Sequence, residues 1–201
     1  MKVLESFISK SYANEIENLI NTPNNFHWSF HDQIANEYGN EPKKYKNPSI
    51  INPIGLAHVF IDAGKIRSDH FTFIKPILLF LEYHMDFEIK QVLRVRARRT
   101  MQNTNLNANH YNPPHVDLPD TVPYKSLIYY VSDSDGDSIF FNEKYIPGNG
   151  PPELKDTDVT ECFRYTPKKG NAILFDGHQY HAGNSPVEYL HRTVINFDFV
   201  I

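Results

Sequence analysis

Two histidines, an aspartate and an arginine carry the chemistry that this 201-residue sequence can do. His115-Val116-Asp117 is a His-x-Asp triplet at the end of a β-rich run. Side chains at i and i+2 of an extended segment point the same way, so an imidazole and a carboxylate can converge on one ion. Mixed nitrogen and oxygen ligation with open positions suits non-heme Fe(II), which needs free sites for substrate and oxygen. The triplet alone says little. In a chain with 10 His, chance supplies roughly 0.6 such triplets. A second one, His84-Met85-Asp86, follows a predicted helix. Helical positions two apart point to nearly opposite sides, so that pair reads as a helix-end surface feature.

The rest of the set raises the first triplet. His181 follows an apolar run, Ala172–Phe175, and a turn at Asp176-Gly177, so it can bring a second imidazole from a distant strand. His178, on the same turn, competes with it. Arg192 opens the last β-rich run. A facial triad with a guanidinium nearby is what a metal-chelating dicarboxylate requires. One end binds the metal, and the far carboxylate takes a bidentate positive partner, for which Arg is better shaped than Lys. Asp176 reads as a turn residue before it reads as a partner orienting an imidazole.

The elements that must position these groups fall into two halves. In the first, Ile8, Tyr12, Ile16, Leu19 and Ile20 recur at helical spacing and predict an amphipathic helix over roughly Lys10–Asn21, ended by Thr22-Pro23-Asn24-Asn25. Phe26–Phe30 reads as a short aromatic strand, and Glu41–Pro53 as an exposed loop. A second helix is expected from near Ser68, which can cap it, to about Tyr83. From Glu88 the rhythm changes to short β-rich runs: Glu88–Thr100, His110–Val116, Ser126–Val131, Ser138–Asn142, Thr160–Tyr165, Asn171–Phe175, Tyr180–Gly183 and His191–Phe199. Short strands at such spacing, with Gly, Pro and Asp between them, predict a sandwich or jelly roll with the N-terminal helices packed outside. No helical pattern alternates with them, which disfavours a parallel α/β fold.

Several further residues admit two readings. Arg94, Arg96 and Arg98 share one face of a strand and Arg99 the other. The plainer reading is a solvated, ion-paired sheet face; the sharper one is an anion contact or a wall of a co-substrate pocket. Gln102 and Asn103 could reach the same site. His110 reads as a solvated loop side chain. Tyr129 and Tyr130 are adjacent, so one faces in and one out. The Pro- and Gly-rich stretch Lys144–Asp158 is either a lid or only a long connection.

Composition bounds the partners. Hydrophobic residues at 40% and charged residues at 22% are those of a folded domain. The net charge of −4 disfavours a protein held mainly by nucleic-acid phosphates. The single cysteine, Cys162, cannot form an internal disulfide and points to a reducing compartment. No run approaches the length of a membrane span, and Met1–Ser6 lacks a signal-peptide core. The expectation is a soluble cytoplasmic protein whose oligomeric state the residues do not reveal.

The motifs together resemble the iron(II)/2-oxoglutarate-dependent oxygenases, specifically the prolyl 4-hydroxylase-like group. The stretches that carry the resemblance are His115-Val116-Asp117, Ser126–Val131, Asp135–Phe141, Gly170–Phe175, and Tyr180–Pro186 leading to Arg192; they span about half the chain. The resemblance implies a mainly β domain with flanking α: a double-stranded β-helix, or jelly-roll/cupin-like, core over residues 88–201 and a helical, mixed support region over 1–87. It implies that His115, Asp117 and His181 ligate iron, with His181 chosen over His178 because it directly precedes Ala182-Gly183. It implies that Arg192 holds the distal carboxylate of 2-oxoglutarate and that Tyr130 adds a hydrogen bond there. Many relatives carry a hydroxyl residue two positions after the arginine; here that position is Val194, which turns attention to Tyr130 as second anchor. Asp137 stands where relatives often have a small residue. The implied activity is that of a dioxygenase hydroxylating an unactivated C–H bond with Fe(II), 2-oxoglutarate and O2, and with ascorbate as a reductant. Its substrate would be a prolyl residue of a protein or peptide, or a small molecule. The alternatives are a cupin-like metal enzyme that does not use 2-oxoglutarate, a non-catalytic metal-binding β-barrel, and nucleic-acid demethylation.

Overall fold

The computed structural model of the protein describes residues 1–34, 47–107, 109–119, 122–148, 153–154 and 159–201. Among them the elements run β1 (Lys2–Leu4), α1 (Lys10–Asn21), β2 (Ser29–His31), β3 (Gly55–Asp62), β4 (Lys65–Ile66), α2 (Phe71–Ile74), α3 (Pro76–Met85), β5 (Gln91–Met101), β6 (Lys125–Tyr130), β7 (Ser138–Lys144), β8 (Glu161–Tyr165), β9 (Ala172–Asp176), β10 (Gln179–Gly183) and β11 (His191–Val200). The first part of the predicted loop Glu41–Pro53, residues 41–46, and most of the stretch Lys144–Asp158 beyond β7 lie outside the described residues.

Helix α1 forms where expected. Ser9 caps it by accepting from the Tyr12 backbone N–H, and Ala13, Ile16 and Ile20 form its buried face. The second predicted helix is two pieces. Pro76 has no N–H with which to extend α2, but its fixed φ suits the first position of α3. Ser68 caps neither helix; its hydroxyl instead meets the His58 ring and the His70 backbone N–H. Helix α3 ends on Asp86 in the left-handed region, so His84 and Asp86 sit at a helix terminus away from the β-rich half's cluster.

The strands form two sheets. The large one has the order β1-β9-β6-β11-β5-β3-β2, with β4 on β3; the small one is β10-β7-β8. His115 extends the small sheet through an antiparallel bridge to His181. From β5 on, with the His115 bridge counted in the small sheet, the chain crosses from one sheet to the other at every step except the β7–β8 hairpin, which is a double-stranded β-helix. Period-two alternation sorts the side chains of the large sheet. Leu127, Tyr129, Ile195 and Phe197 pack outward against α1, α2 and α3. Ile128, Tyr130 and Val194 point inward, where they meet Phe140 and Phe175. Val116, Ile139, Phe141 and Tyr180 form a third cluster on the small-sheet side.

The interior is not wholly apolar. Register places Arg192 beside Thr100, Val194 between Tyr130 and Arg98, and Asp198 between Ser126 and Arg94. The arginine face of β5 therefore looks into the barrel. Arg94 is 3% exposed, which corrects the reading of a solvated sheet face: a polar stripe inside a barrel has the same alternation as one facing water.

Candidate metal centre

Three ligand-bearing side chains converge inside the barrel. One ligand atom each from His115, Asp117 and His181 lies within 4.8 Å of the others. Their meeting follows from the backbone. His115 and His181 exchange both backbone hydrogen bonds, at 2.9 and 3.0 Å, so they are direct cross-strand neighbours on one face. Their rings lie 4.7 Å apart, centroid to centroid. Asp117, two residues on from His115, joins the same face. Tyr124 ties the two ends together: its hydroxyl accepts from the Leu118 N–H at 2.9 Å and donates to the Gly177 carbonyl at 2.7 Å.

Both imidazoles are oriented from behind. His115 Nδ1 donates to the Pro113 carbonyl at 2.9 Å, and His181 Nδ1 donates to the Gln179 carbonyl at 3.1 Å. A carbonyl only accepts, so each Nδ1 carries the proton and each Nε2 presents a lone pair to the centre. Burial, with the neighbouring His181, pushes the His115 pKa down to about 3, which keeps that imidazole neutral. Burial alone would raise the Asp117 carboxyl, but Arg94 and the two imidazoles outweigh it and hold it well below the usual carboxylate range. The proton affinity appears instead on Asp198, pushed up to about 6 by burial and by Asp117. Asp117 Oδ2 is buried without a hydrogen-bond donor and lies 3.4 Å from His181 Nε2. Two imidazoles with Nδ1 turned away, and a carboxylate with one uncommitted oxygen, form a donor set that fits a divalent transition metal.

Beside the centre is a corner built around a buried guanidinium. Arg192, 7% exposed, points into the barrel and donates from Nη2 to Ser138 Oγ at 2.6 Å, while its Nε is buried without a partner. Tyr130 donates to the same Ser138 oxygen at 2.8 Å. Ser138 thus accepts twice and keeps its own proton for another partner. Burial pushes the Tyr130 phenol up, so it stays a donor. Gly183 makes room for the guanidinium: a Cβ there would stand 3.2 Å from Arg192 Nη1. Arg192, Arg98, Asn112, Asn196, His115 and His181 share the lining of one narrow cavity of about 40 Å3.

Other sequence-predicted residues lie elsewhere. His178 packs edge-on against Tyr124 and is not in the cluster. Asp176 accepts from the His178 backbone N–H, as a turn aspartate does. Gln102 and Asn103 bond to the Val187 and Pro186 carbonyls and tether the segment before β11. His110 bonds to Asn107 in an exposed loop. Asp137 pairs with Arg164 and Thr166. Tyr129 faces the helices. Of the stretch Lys144–Asp158, Glu153 bridges to His115 and the Leu154 N–H bonds to the Pro114 carbonyl. Sequence reasoning missed Ser138, Tyr124 and the pairing of Arg94 with Asp117. Ser138 lies inside a family-like stretch, yet only the distance between the sheets gives it a partner.

No protein-family model matches the chain, and no curated protein matches its sequence. Solved structures do match in fold. The epimerase SnoN in complex with Fe3+, alpha ketoglutarate and nogalamycin RO superposes with a TM-score of 0.60 at 10% identity, covering 98% of this chain and 77% of that one. A prolyl hydroxylase from Trichoplax adhaerens, in complex with a hypoxia inducible factor oxygen degradation domain peptide, gives 0.57 at 14%, over 98% and 82%. A Pseudomonas putida prolyl-4-hydroxylase gives 0.56 at 10%, over 98% and 90%. No helix among the described residues is long and apolar enough to cross a membrane. With its two alternating sheets, the chain has the double-stranded β-helix fold that the 2-oxoglutarate and Fe(II) oxygenases use.

Proposed function

We propose that the chain is a single-domain Fe(II)- and 2-oxoglutarate-dependent dioxygenase that hydroxylates an unactivated C–H bond. The observation that carries the reading is the convergence of His115, Asp117 and His181 beside the buried guanidinium of Arg192. In this reading the two imidazoles and Asp117 Oδ2 hold iron(II). Arg192 receives the distal carboxylate of 2-oxoglutarate, with Tyr130 and Ser138 as hydroxyl partners. Bound iron, 2-oxoglutarate and O2 together supply the oxidising chemistry, releasing succinate and CO2. The chain itself positions and shields. The carbonyls of Pro113 and Gln179 keep both imidazoles in the ligating tautomer. Phe140 and Phe175 stand against the His181 ring and exclude water from that side. The cavity holds a few waters at most, so it must widen to admit the co-substrate.

Two of the fold relatives are prolyl hydroxylases, one of them bound to a peptide. That likeness supports a prolyl residue of a peptide or protein as the substrate. The test is turnover of 2-oxoglutarate, followed as succinate in the presence of Fe(II), O2 and ascorbate. Wild type is expected to release succinate, His115→Ala and Asp117→Ala to release none, and Arg192→Ala to need far more co-substrate with iron still bound. Equal succinate release by His115→Ala and wild type would overturn the assignment.

A further inference from the structure

The carboxylate of Asp117 is held from behind by a buried relay. Arg94, on β5, donates from Nη2 to Asp117 Oδ1 at 2.5 Å and from Nε to Asp198 Oδ2 at 3.0 Å. Ser126 Oγ donates to the other Asp198 oxygen at 2.7 Å. The relay crosses three adjacent strands whose register pairs Arg94 with Asp198 and Asp198 with Ser126. All of its members are buried: Arg94 is 3% exposed, Asp117 2%, Ser126 1% and Asp198 0%. The two oxygens of Asp117 are therefore in different circumstances. Oδ1 is committed to a guanidinium; Oδ2 has no hydrogen-bond donor and faces His181 Nε2 at 3.4 Å.

We propose that Arg94 is a positioning residue that restricts Asp117 to one-oxygen coordination, by holding Oδ1 and turning Oδ2 toward the two imidazoles. The inference rests on the reading of His115, Asp117 and His181 as metal ligands. A carboxylate without such a restraint can bind a metal through both oxygens, which consumes a position that an incoming ligand needs. A charge-assisted bond to Oδ1 removes that option. The guanidinium suits the task because its two edges diverge at a fixed angle. With Nε fixed on Asp198, Nη2 is aimed at Asp117, and an ammonium has no second edge to fix. Asp198 and Ser126 thus act on the metal centre only through the orientation of Arg94.

The test is anaerobic titration with Co(II), a spectroscopic stand-in for Fe(II), reading affinity by calorimetry and coordination from the visible d–d spectrum. Wild type is expected to bind one Co(II), and His115→Ala to lose it. The double variant Arg94→Met with Asp198→Asn leaves no second carboxylate stranded against a missing partner. It is expected to bind roughly 10- to 100-fold more weakly and with a changed d–d spectrum. Asp198→Asn alone, which retains the bond from Arg94 to Asp117, is expected to keep the wild-type spectrum. Should the double variant fail to fold, Arg94→Lys gives the same reading, since it keeps the charge without spanning both carboxylates. Wild-type affinity and spectrum in a folded Arg94 variant would overturn the positioning role and leave the metal ligands standing. Absence of Co(II) binding to wild type would overturn the metal reading itself, and this inference with it.

Discussion

At the scale of single residues, the centre is built from ordinary groups placed under unusual constraint. His115 and His181 differ from the other described histidines in that a backbone carbonyl takes each Nδ1 proton while each ring shares a buried cluster with Asp117. Arg192 has its reach set by the missing side chain of Gly183. A Cβ at 3.2 and 3.3 Å from the guanidinium Nη1 and Cζ is tight enough to push Arg192 aside, and neither His115, Asp117 nor His181 is among the nearest atoms it would meet. Gly183→Ala is expected to weaken 2-oxoglutarate binding to the metal-loaded protein about tenfold, or about 1.4 kcal/mol, with Co(II) affinity unchanged. Calorimetric titration reads both, and undiminished 2-oxoglutarate affinity would show that Gly183 does not shape the corner. That His115, Asp117 and His181 converge, with Tyr130 and Arg192 on the same interior, was legible in the sequence, because strand periodicity and the family-like stretches point to these positions. Ser138 and Arg94 were not. Their partners are far along the chain, and a polar residue in a polar alternation carries no mark of facing inward.

At the scale of elements, strands β5 to β11 were legible because most carry β-branched or aromatic residues in alternation and turn residues separate most of them. The adjacent β3, Gly55–Asp62, was not, since a nearly continuous apolar run reads equally well as helix. The three residues of β1 are too few to show any period. Within β3, His58 joins two N-terminal connections to the sheet. Its Nδ1 donates to the His27 carbonyl at 2.7 Å and its Nε2 accepts from Ser68 Oγ at 2.9 Å. Burial, aided by the nearby His70, lowers its pKa against the opposing pull of the His27 carbonyl. The unfolded imidazole takes a proton near pH 6.5, whereas the folded one takes it only at lower pH. The contribution is therefore complete above about 6.5 and is lost as pH falls below it. The thermal midpoint of the metal-free protein is expected to drop between pH 7 and pH 5, and to drop less steeply in His58→Gln. Equal slopes in the two proteins would remove His58 from the acid response.

At the scale of the whole molecule, two facing sheets perform separate tasks. The small sheet, with the bridge at His115, supplies both imidazoles; the large sheet supplies Arg192, Arg94 and Asp198. Helices α1 and α3 cover the outer face of the large sheet and leave its inner face to the site. The sandwich was legible from strand spacing alone, but the contents of its interior were not, because polar and apolar layers follow one another along the same inward faces. The central claim is that one cup holds a metal and a dicarboxylate together. Its most direct test is anaerobic titration of the purified protein with Fe(II) and then with 2-oxoglutarate, followed by visible absorption. The account predicts a weak charge-transfer band that arises only when both are present and that His115→Ala abolishes. A wild-type spectrum that stays featureless with both in excess would contradict it.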